Sequence, residues 1–209
     1  MNKVVIGILP TANLFKEDSF YDDYYKFINL YSKRIYECNA IPIGLLMNDG
    51  NLNYAALDLC DGFLIPGGKK AEQYVYEIIH YAIERNKPIL GICLGAQAID
   101  IYSVIMDNME ENKKYSLKEI KGIYGSLKDK NDGTLLRLLP NPNIHSNGEI
   151  TRENIAKHSH DIKIINGSIL HDIYNSDKEN VISLHSYDFK GVGKDFLVSS
   201  YAPDGVCES

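Results

Sequence analysis

Residues 87–100 read KPILGICLGAQAID: an apolar run ends on glycine, Cys93 stands between Gly91 and Gly95, and helix-forming residues follow. A strand that stops on Gly-x-Cys-x-Gly and turns into a helix projects the central side chain at the turn, which is how α/β folds expose a nucleophile. The partial positive charge of the helix N-terminus there favours the thiolate, the form of cysteine that attacks. Gly91 and Gly95 mark places where a side chain would collide inside so tight a turn. The same turn frees the amide of Leu94 to hold an oxygen that becomes negative during acyl transfer. Cys93 is therefore the candidate nucleophile, against the plainer reading of a small buried core thiol.

Upstream of this stretch, strands and helices alternate. KVVIGILP (3–10) is a continuous apolar run, as expected of a strand buried on both faces. Tyr24, Ile28, Tyr31, Ile35 and Cys38 recur at helical spacing and predict an amphipathic helix within 21–38. AIPIGLL (40–46) and DGFLIPGG (61–68) read as strands, the second closed by a Pro-Gly-Gly turn. Apolar pairs at 74/75, 78/79 and 82/83 predict a helix, and KPILGIC is the fourth strand. Such alternation predicts a mostly parallel sheet with helices on both faces. Residues 105–157 are polar and rich in turn residues, an insertion expected to carry a hairpin or short helix and to act as a lid or as plain solvated surface. Strand-like segments resume with DIKIING, NVISLH and DFLVSSYAPDG.

The chain has 209 residues, 44% of them hydrophobic and 24% charged, enough for one α/β domain with a sizeable core or, at a stretch, two small ones. A formal charge of −6 argues against a nucleic-acid surface, which would need clustered lysine and arginine. The opening MNKVVIGILPTAN lacks a signal-peptide pattern, and no apolar run approaches the roughly 20 residues a membrane span needs. A cytoplasmic protein with free thiols is expected: Cys38, Cys60, Cys93 and Cys207 form no Cys-x-x-Cys pair.

IGICLGAQ resembles the nucleophile segment of the class I glutamine amidotransferases, Gly-Ile-Cys-x-Gly-x-Gln. The resemblance assigns Gln97 to the amino-acid end of a glutamine-like substrate. DGFLIPGG is similar to the family's other oxyanion loop, which gives Gly68 an amide in the oxyanion hole beside that of Leu94, with Gly67 as its neighbour at the substrate. VISLHSYD and YAPDGVCES resemble two later landmarks of the branch that hydrolyses γ-glutamyl amides, among them γ-glutamyl-γ-aminobutyrate hydrolases. YSKRIYECNAIPIGLL is similar to that branch's helix-to-strand passage. The resemblance implies a flavodoxin-like three-layer α/β/α sandwich formed by residues 1–209 as a single domain. It implies hydrolysis of a γ-glutamyl amide through a glutamyl thioester, releasing glutamate and an amine or amidate. His185, Ser186 and Tyr187 would hold the glutamyl group. No metal and no cofactor are expected, and the partner is a small molecule; a homodimer suits the architecture, although no interface signature is present.

In that family the catalytic histidine and glutamate occupy a His-Pro-Glu segment, which this sequence does not contain. The expectation is that the segment lies beyond Ser209. Three other readings remain open at this stage: a glutaminase subunit feeding ammonia to a synthase, a non-catalytic module that binds γ-glutamyl ligands, and a cysteine-type ester hydrolase. His185, with Asp188 nearby in sequence, is the internal candidate for a base. His158 and His160 have a metal-compatible spacing but read as alternate positions on a strand. His80 and His171 read as surface residues, and His145 falls in the insertion. Lys69 and Lys70 replace the family's usual residues after Gly-Gly and would suit an acidic leaving group such as a phosphate.

Overall fold

The computed structural model describes residues 3–14, 23–68, 71–107, 109, 136–139, 142–145, 151 and 153–209. Most of the 105–157 insertion, as well as Lys69 and Lys70, lies outside the described residues. Contacts group the chain into two compact units: Met1–Tyr102 with Glu110–Asp129, and Ser103–Met109 with Lys130–Ser209.

The first unit is built on a parallel sheet of four strands: β1 (Val5–Ile8), β4 (Ile41–Gly44), β5 (Gly62–Ile65) and β6 (Ile89–Gly91). Their order is β4-β1-β5-β6, so the first strand of the chain sits inside the sheet. Every residue of β5 is buried, as a near-continuous Phe63-Leu64-Ile65 run requires of an interior parallel strand. The four strands are those expected from the sequence. Helix α1 (Asn29–Glu37) connects β1 to β4, and α3 (Gln73–Glu84) lies between β5 and β6 in the chain. Each residue from Tyr74 to Ala82 is buried, so α3 is enclosed all round instead of presenting a single apolar stripe.

One local expectation fails in this unit. The amphipathic helix predicted within 21–38 is only its second half; Tyr24–Lys26 form a short strand, β3, paired antiparallel with β2 (Thr11–Asn13). Adjacent aromatics suit a strand, and the Tyr25 hydroxyl accepts the Gly50 amide at 2.9 Å, holding the segment extended. Helix α2 (Tyr54–Asp58) has no clear sequence periodicity because it is too short for one. It is fixed at both ends: Asn53 caps its start by accepting from the Ala56 amide, and Lys87 Nζ donates to the carbonyls of Leu57, Asp58 and Cys60 at its end. A cation placed there satisfies carbonyls that the helix leaves open.

The second unit contains antiparallel pairs. β8 (Ser159–Ile164) is flanked by β9 (Lys178–Ile182) and β11 (Ser200–Tyr201), while β10 (Tyr187–Phe189) pairs with β7 (Leu136–Leu138). A helical turn, α5 (Pro142–His145), follows β7, and α6 (Ile169–Tyr174) stands between β8 and β9. Ser168 caps α6 and Asn175, at φ +50°, ends it in the left-handed conformation that asparagine tolerates. The C-terminal turn folds back onto β11: Ala202 N donates to Val206 O at 2.8 Å and Glu208 N to Ser200 O at 3.1 Å. Leu139, Ala202 and Val206 form a small buried cluster beneath it.

Candidate active site

Helix α4 (Leu94–Asp107) begins directly after Cys93, so the predicted strand-turn-helix is present with the cysteine at its apex. Cys93 has a left-handed backbone, φ +53°. Among the described residues, the other non-glycine positions with positive φ are Asn39, Asp49, Asn86 and Asn175. Asparagine and aspartate tolerate that conformation through local hydrogen bonds; cysteine has no such relief, and the conformation costs about 1–2 kcal/mol. Strain of this kind persists only where the surroundings over-determine it.

The surroundings are tight. Ile92 N donates to Ile65 O at 2.9 Å, Gly95 N to Ile92 O at 2.9 Å, and Gln97 N to Cys93 O at 3.1 Å. A Cβ on Gly91 would lie 2.5 Å from the Ala96 nitrogen, and one on Gly95 would press into the Ile65 carbonyl oxygen. These two glycines permit the close approach of β5, β6 and α4, as the spacing predicts. Because β5 and β6 are parallel, with Ile65 opposite Gly91, both chains leave the sheet at the same end. This brings the Pro-Gly-Gly turn beside the cysteine. A Cβ on Gly67 would sit 3.2 Å from the Cys93 Cβ and 3.8 Å from its sulfur, and one on Gly68 would sit 3.3 Å from Leu94 Cδ2. Gly67, Gly68, Cys93 and Leu94 are thus brought together, with Gln97 one turn into α4. The thiol is exposed, and Pro10, Thr11 and Tyr74 help to line a small cleft next to Gly67 and Leu94.

This unit supplies no histidine to the thiol. His80, its one histidine, is not a surface residue as the sequence suggested; it is buried, with Nδ1 2.8 Å from the Tyr102 hydroxyl. Its helix is enclosed on all sides, so a polar ring is tolerated only because Tyr102 meets it. Burial lowers its pKa, only partly countered by Glu84.

His185 and Ser186 lie in the second unit at the approach to β10, and Tyr187 begins that strand. The Ser186 carbonyl accepts the Leu139 amide at 3.0 Å, and the Tyr187 carbonyl accepts His185 Nδ1 at 3.0 Å, so both are engaged within the unit. Its other ring nitrogen, Nε2, is 3.3 Å from Glu208 Oε1. Burial pulls the His185 pKa down, but the bond to Glu208, the Tyr187 carbonyl and the charges of Glu208 and Asp188 outweigh it and raise the pKa above the ordinary value.

The histidines set aside by the sequence reading converge on the same carboxylate. His145, fully buried in α5, has Nδ1 3.1 Å from Glu208 Oε1 and Nε2 3.0 Å from Asp204 Oδ2. His160, on β8, has Nε2 3.3 Å from the same Glu208 oxygen. The rings of His160 and His185 lie edge-on to that of His145, at 4.9 and 4.8 Å. Burial raises the Asp204 pKa, but the His145 bond, the Val206 amide and the His145 charge prevail and lower it. His158 does not alternate with His160 along a strand; it ends the 3-10 turn Ile155–His158 and is buried. His171 is half-buried on α6 with Nε2 3.2 Å from Asp177. Sequence reasoning noticed Asp204 and Glu208 only as parts of a landmark run and assigned neither a role.

Among known proteins, the family model of Peptidase C26 matches residues 70–209. The chain belongs to the Peptidase C26 family. Membership supports a cysteine-dependent amidohydrolase or glutaminase kind of activity. A Rickettsia prowazekii protein described as glutamine amidotransferase-like is 24% identical over 242 residues, covering 99% of this chain and 85% of that protein. CTP synthase of Methanosphaera stadtmanae is 40% identical over 63 residues, 29% of this chain, and the match spans only 12% of that enzyme. Two solved structures share the fold. A glutamine amidotransferase of Thermotoga maritima superposes with a TM-score of 0.58 at 12% identity, covering 99% of this chain and 70% of the other. One from Methylobacillus flagellatus gives 0.56 at 12% identity, covering 99% and 64%. The Peptidase C26 chain therefore has an α/β fold with a parallel central sheet of the flavodoxin-like glutamine amidotransferase kind. Among the described residues, no helix is long and apolar enough to cross a membrane.

Proposed function

We propose that this Peptidase C26 chain hydrolyses a γ-glutamyl amide through a thioester on Cys93. The observation that carries the reading is the strained backbone of Cys93, the one non-Asn, non-Asp residue among the described side chains at positive φ. The Cys93 thiolate attacks the γ-carbonyl carbon, forming a C–S bond while the carbonyl oxygen takes the negative charge. The amides of Gly68 and Leu94 hold that oxygen; among the described residues neither donates a hydrogen bond elsewhere. Collapse breaks the C–N bond and the amine leaves with a proton. Water then attacks the thioester, releasing glutamate and the thiol. The family resemblance assigns Gln97 to the glutamyl group and proton transfer to a His-Pro-Glu pair, which this sequence does not contain.

The test is covalent labelling with a γ-electrophilic glutamine analogue, a diazo-ketone, followed by intact mass. Wild type should gain one glutamyl-ketone adduct, and Cys93→Ala should gain none and lose hydrolysis by ~10³-fold or more. Equal labelling of the two proteins would rule out Cys93 as the nucleophile.

A further inference from the structure

Three imidazoles around one carboxylate oxygen pose a question of protons. Glu208 Oε1 lies 3.1 Å from His145 Nδ1, 3.3 Å from His160 Nε2 and 3.3 Å from His185 Nε2. The opposite nitrogen of each ring faces a group that can only accept: the Asp204 carboxylate for His145, the Asp161 carbonyl for His160 and the Tyr187 carbonyl for His185. Each outer nitrogen must therefore carry the hydrogen. In the neutral ring the inner nitrogen is then a bare lone pair. Three lone pairs and a carboxylate oxygen consequently converge on one buried point, where like-facing acceptors repel and only positive charge satisfies them. Ser183 does not relieve this: its hydroxyl, 3.4 Å from His145 Nδ1, sits 3.2 Å from the His145 carbonyl and donates there. His160 Nε2 is buried and makes no hydrogen bond among the described residues.

We propose that His145, His160 and Glu208, with His185 as fourth donor, bind a divalent transition ion of the zinc type. The ligand atoms of His145, His160 and Glu208 lie within 4.8 Å of one another. Bonds of about 2.0–2.1 Å in a tetrahedral site set neighbouring donors ~3.3 Å apart, close to the three nitrogen-to-Glu208 separations. Mixed imidazole and carboxylate donors select zinc and its first-row neighbours over calcium or magnesium, which prefer oxygen. Side-chain exposure is 0% at His145, 9% at His160, 12% at Glu208 and 16% at His185, so the point is largely shielded from water. The outer hydrogen bonds fix each ring's tautomer and orientation, the support metal-binding histidines require. His145, His160 and Glu208 are the grouped donors, and His185, whose Nε2 is 3.3 Å from Glu208 Oε1, would fill the fourth position and make the ion structural. It ties α5, β8, the approach to β10 and the C-terminal turn, segments of the second unit that are distant in sequence. Nothing in the site depends on Cys93.

The experiment is metal analysis and thermal unfolding of the chain after chelation and after addition of Zn²⁺ or Co²⁺. Expected are one bound equivalent, a higher Tm with metal, and Co²⁺ d–d absorption without a thiolate charge-transfer band. Asp204→Asn, which removes only the negative charge of His145's outer acceptor, should weaken affinity ~10–100-fold, and Glu208→Gln by more. Wild type decides the matter even if a variant does not fold. The site is disproved if wild type binds no equivalent and shows no Tm change, because protons then hold the cluster. A thiolate band, or unchanged affinity in a folded Glu208→Gln, would equally overturn it.

Discussion

The two units make their sites by opposite means. In the first, backbone geometry makes the site: parallel strands end together, two glycines admit the crossing of β5, β6 and α4, and one cysteine is held at φ +53°. In the second, side chains make it: three histidines from three segments meet Glu208 of the C-terminal turn, and Asp204 of that turn holds the far side of His145. A backbone site rests on close packing, so it should fail when atoms are added. A side-chain site rests on polar pairing, so it should fail when a partner is removed. The Glu208→Gln and Asp204→Asn experiments test the second half of that contrast.

The largest effect in the first unit is expected from Gly95→Ala. Its new carbon meets the Ile65 carbonyl oxygen, and backbone cannot swing away as a flexible side chain can. Urea unfolding should report a loss of about 2–3 kcal/mol, the upper part of the usual overpacking range, together with loss of Cys93 labelling. A variant with unchanged midpoint and labelling would show that the elbow has slack and that backbone contact does not build the site.

A weaker handle is alkaline pH. Burial raises the pKa of Tyr76 to about 12 and, with smaller contributions from Glu84, that of Tyr102 to about 12 as well. The unfolded chain releases these protons near the ordinary tyrosine value of ~10, whereas the folded unit retains them. Between pH 10 and 12 the native state thus binds more protons, and stability falls as pH rises. The urea midpoint should decline over that window, and Tyr76→Phe, which has nothing to ionise, should flatten the decline. An identical decline in the variant would place the alkaline sensitivity elsewhere, outside the enclosed face of α3.

The smallest effect is expected from Cys93→Gly. Glycine adopts positive φ without strain, removing about 1–2 kcal/mol of native-state cost, while its freer unfolded chain returns about half of that. The variant should be inert in labelling yet more stable by under ~1 kcal/mol in a denaturant titration. If it were less stable than wild type, Cys93 would not be a strained position, and the observation that carries the proposed function would fall.

What could be read in the sequence was whatever depends on neighbours in the chain. The four parallel strands, α3, the elbow and the Pro-Gly-Gly turn were legible because apolar runs, helical periodicity and glycine spacing are local records of local geometry. Adjacent β5 and β6 then bring Gly67 beside Cys93, a consequence of parallel pairing that β-α-β alternation already implies. Local pattern was also the source of error. Tyr24 and Ile28 fit a helical period, yet pairing with Thr11–Asn13 and the bond from Gly50 to Tyr25 set the strand. His80 reads as a polar surface residue, yet Tyr102, 22 positions away, provides the partner that allows its burial. The convergence of His145, His160 and His185 on Glu208 has no local signature, since their spacings match no short metal motif and four separate segments supply them. The sequence by itself determined the parallel core and the nucleophile turn, because hydrophobic burial and backbone sterics act over a few residues. Only the tertiary structure decided which polar groups face each other, because desolvated imidazoles and carboxylates take their chemistry from partners that folding alone brings within hydrogen-bond reach.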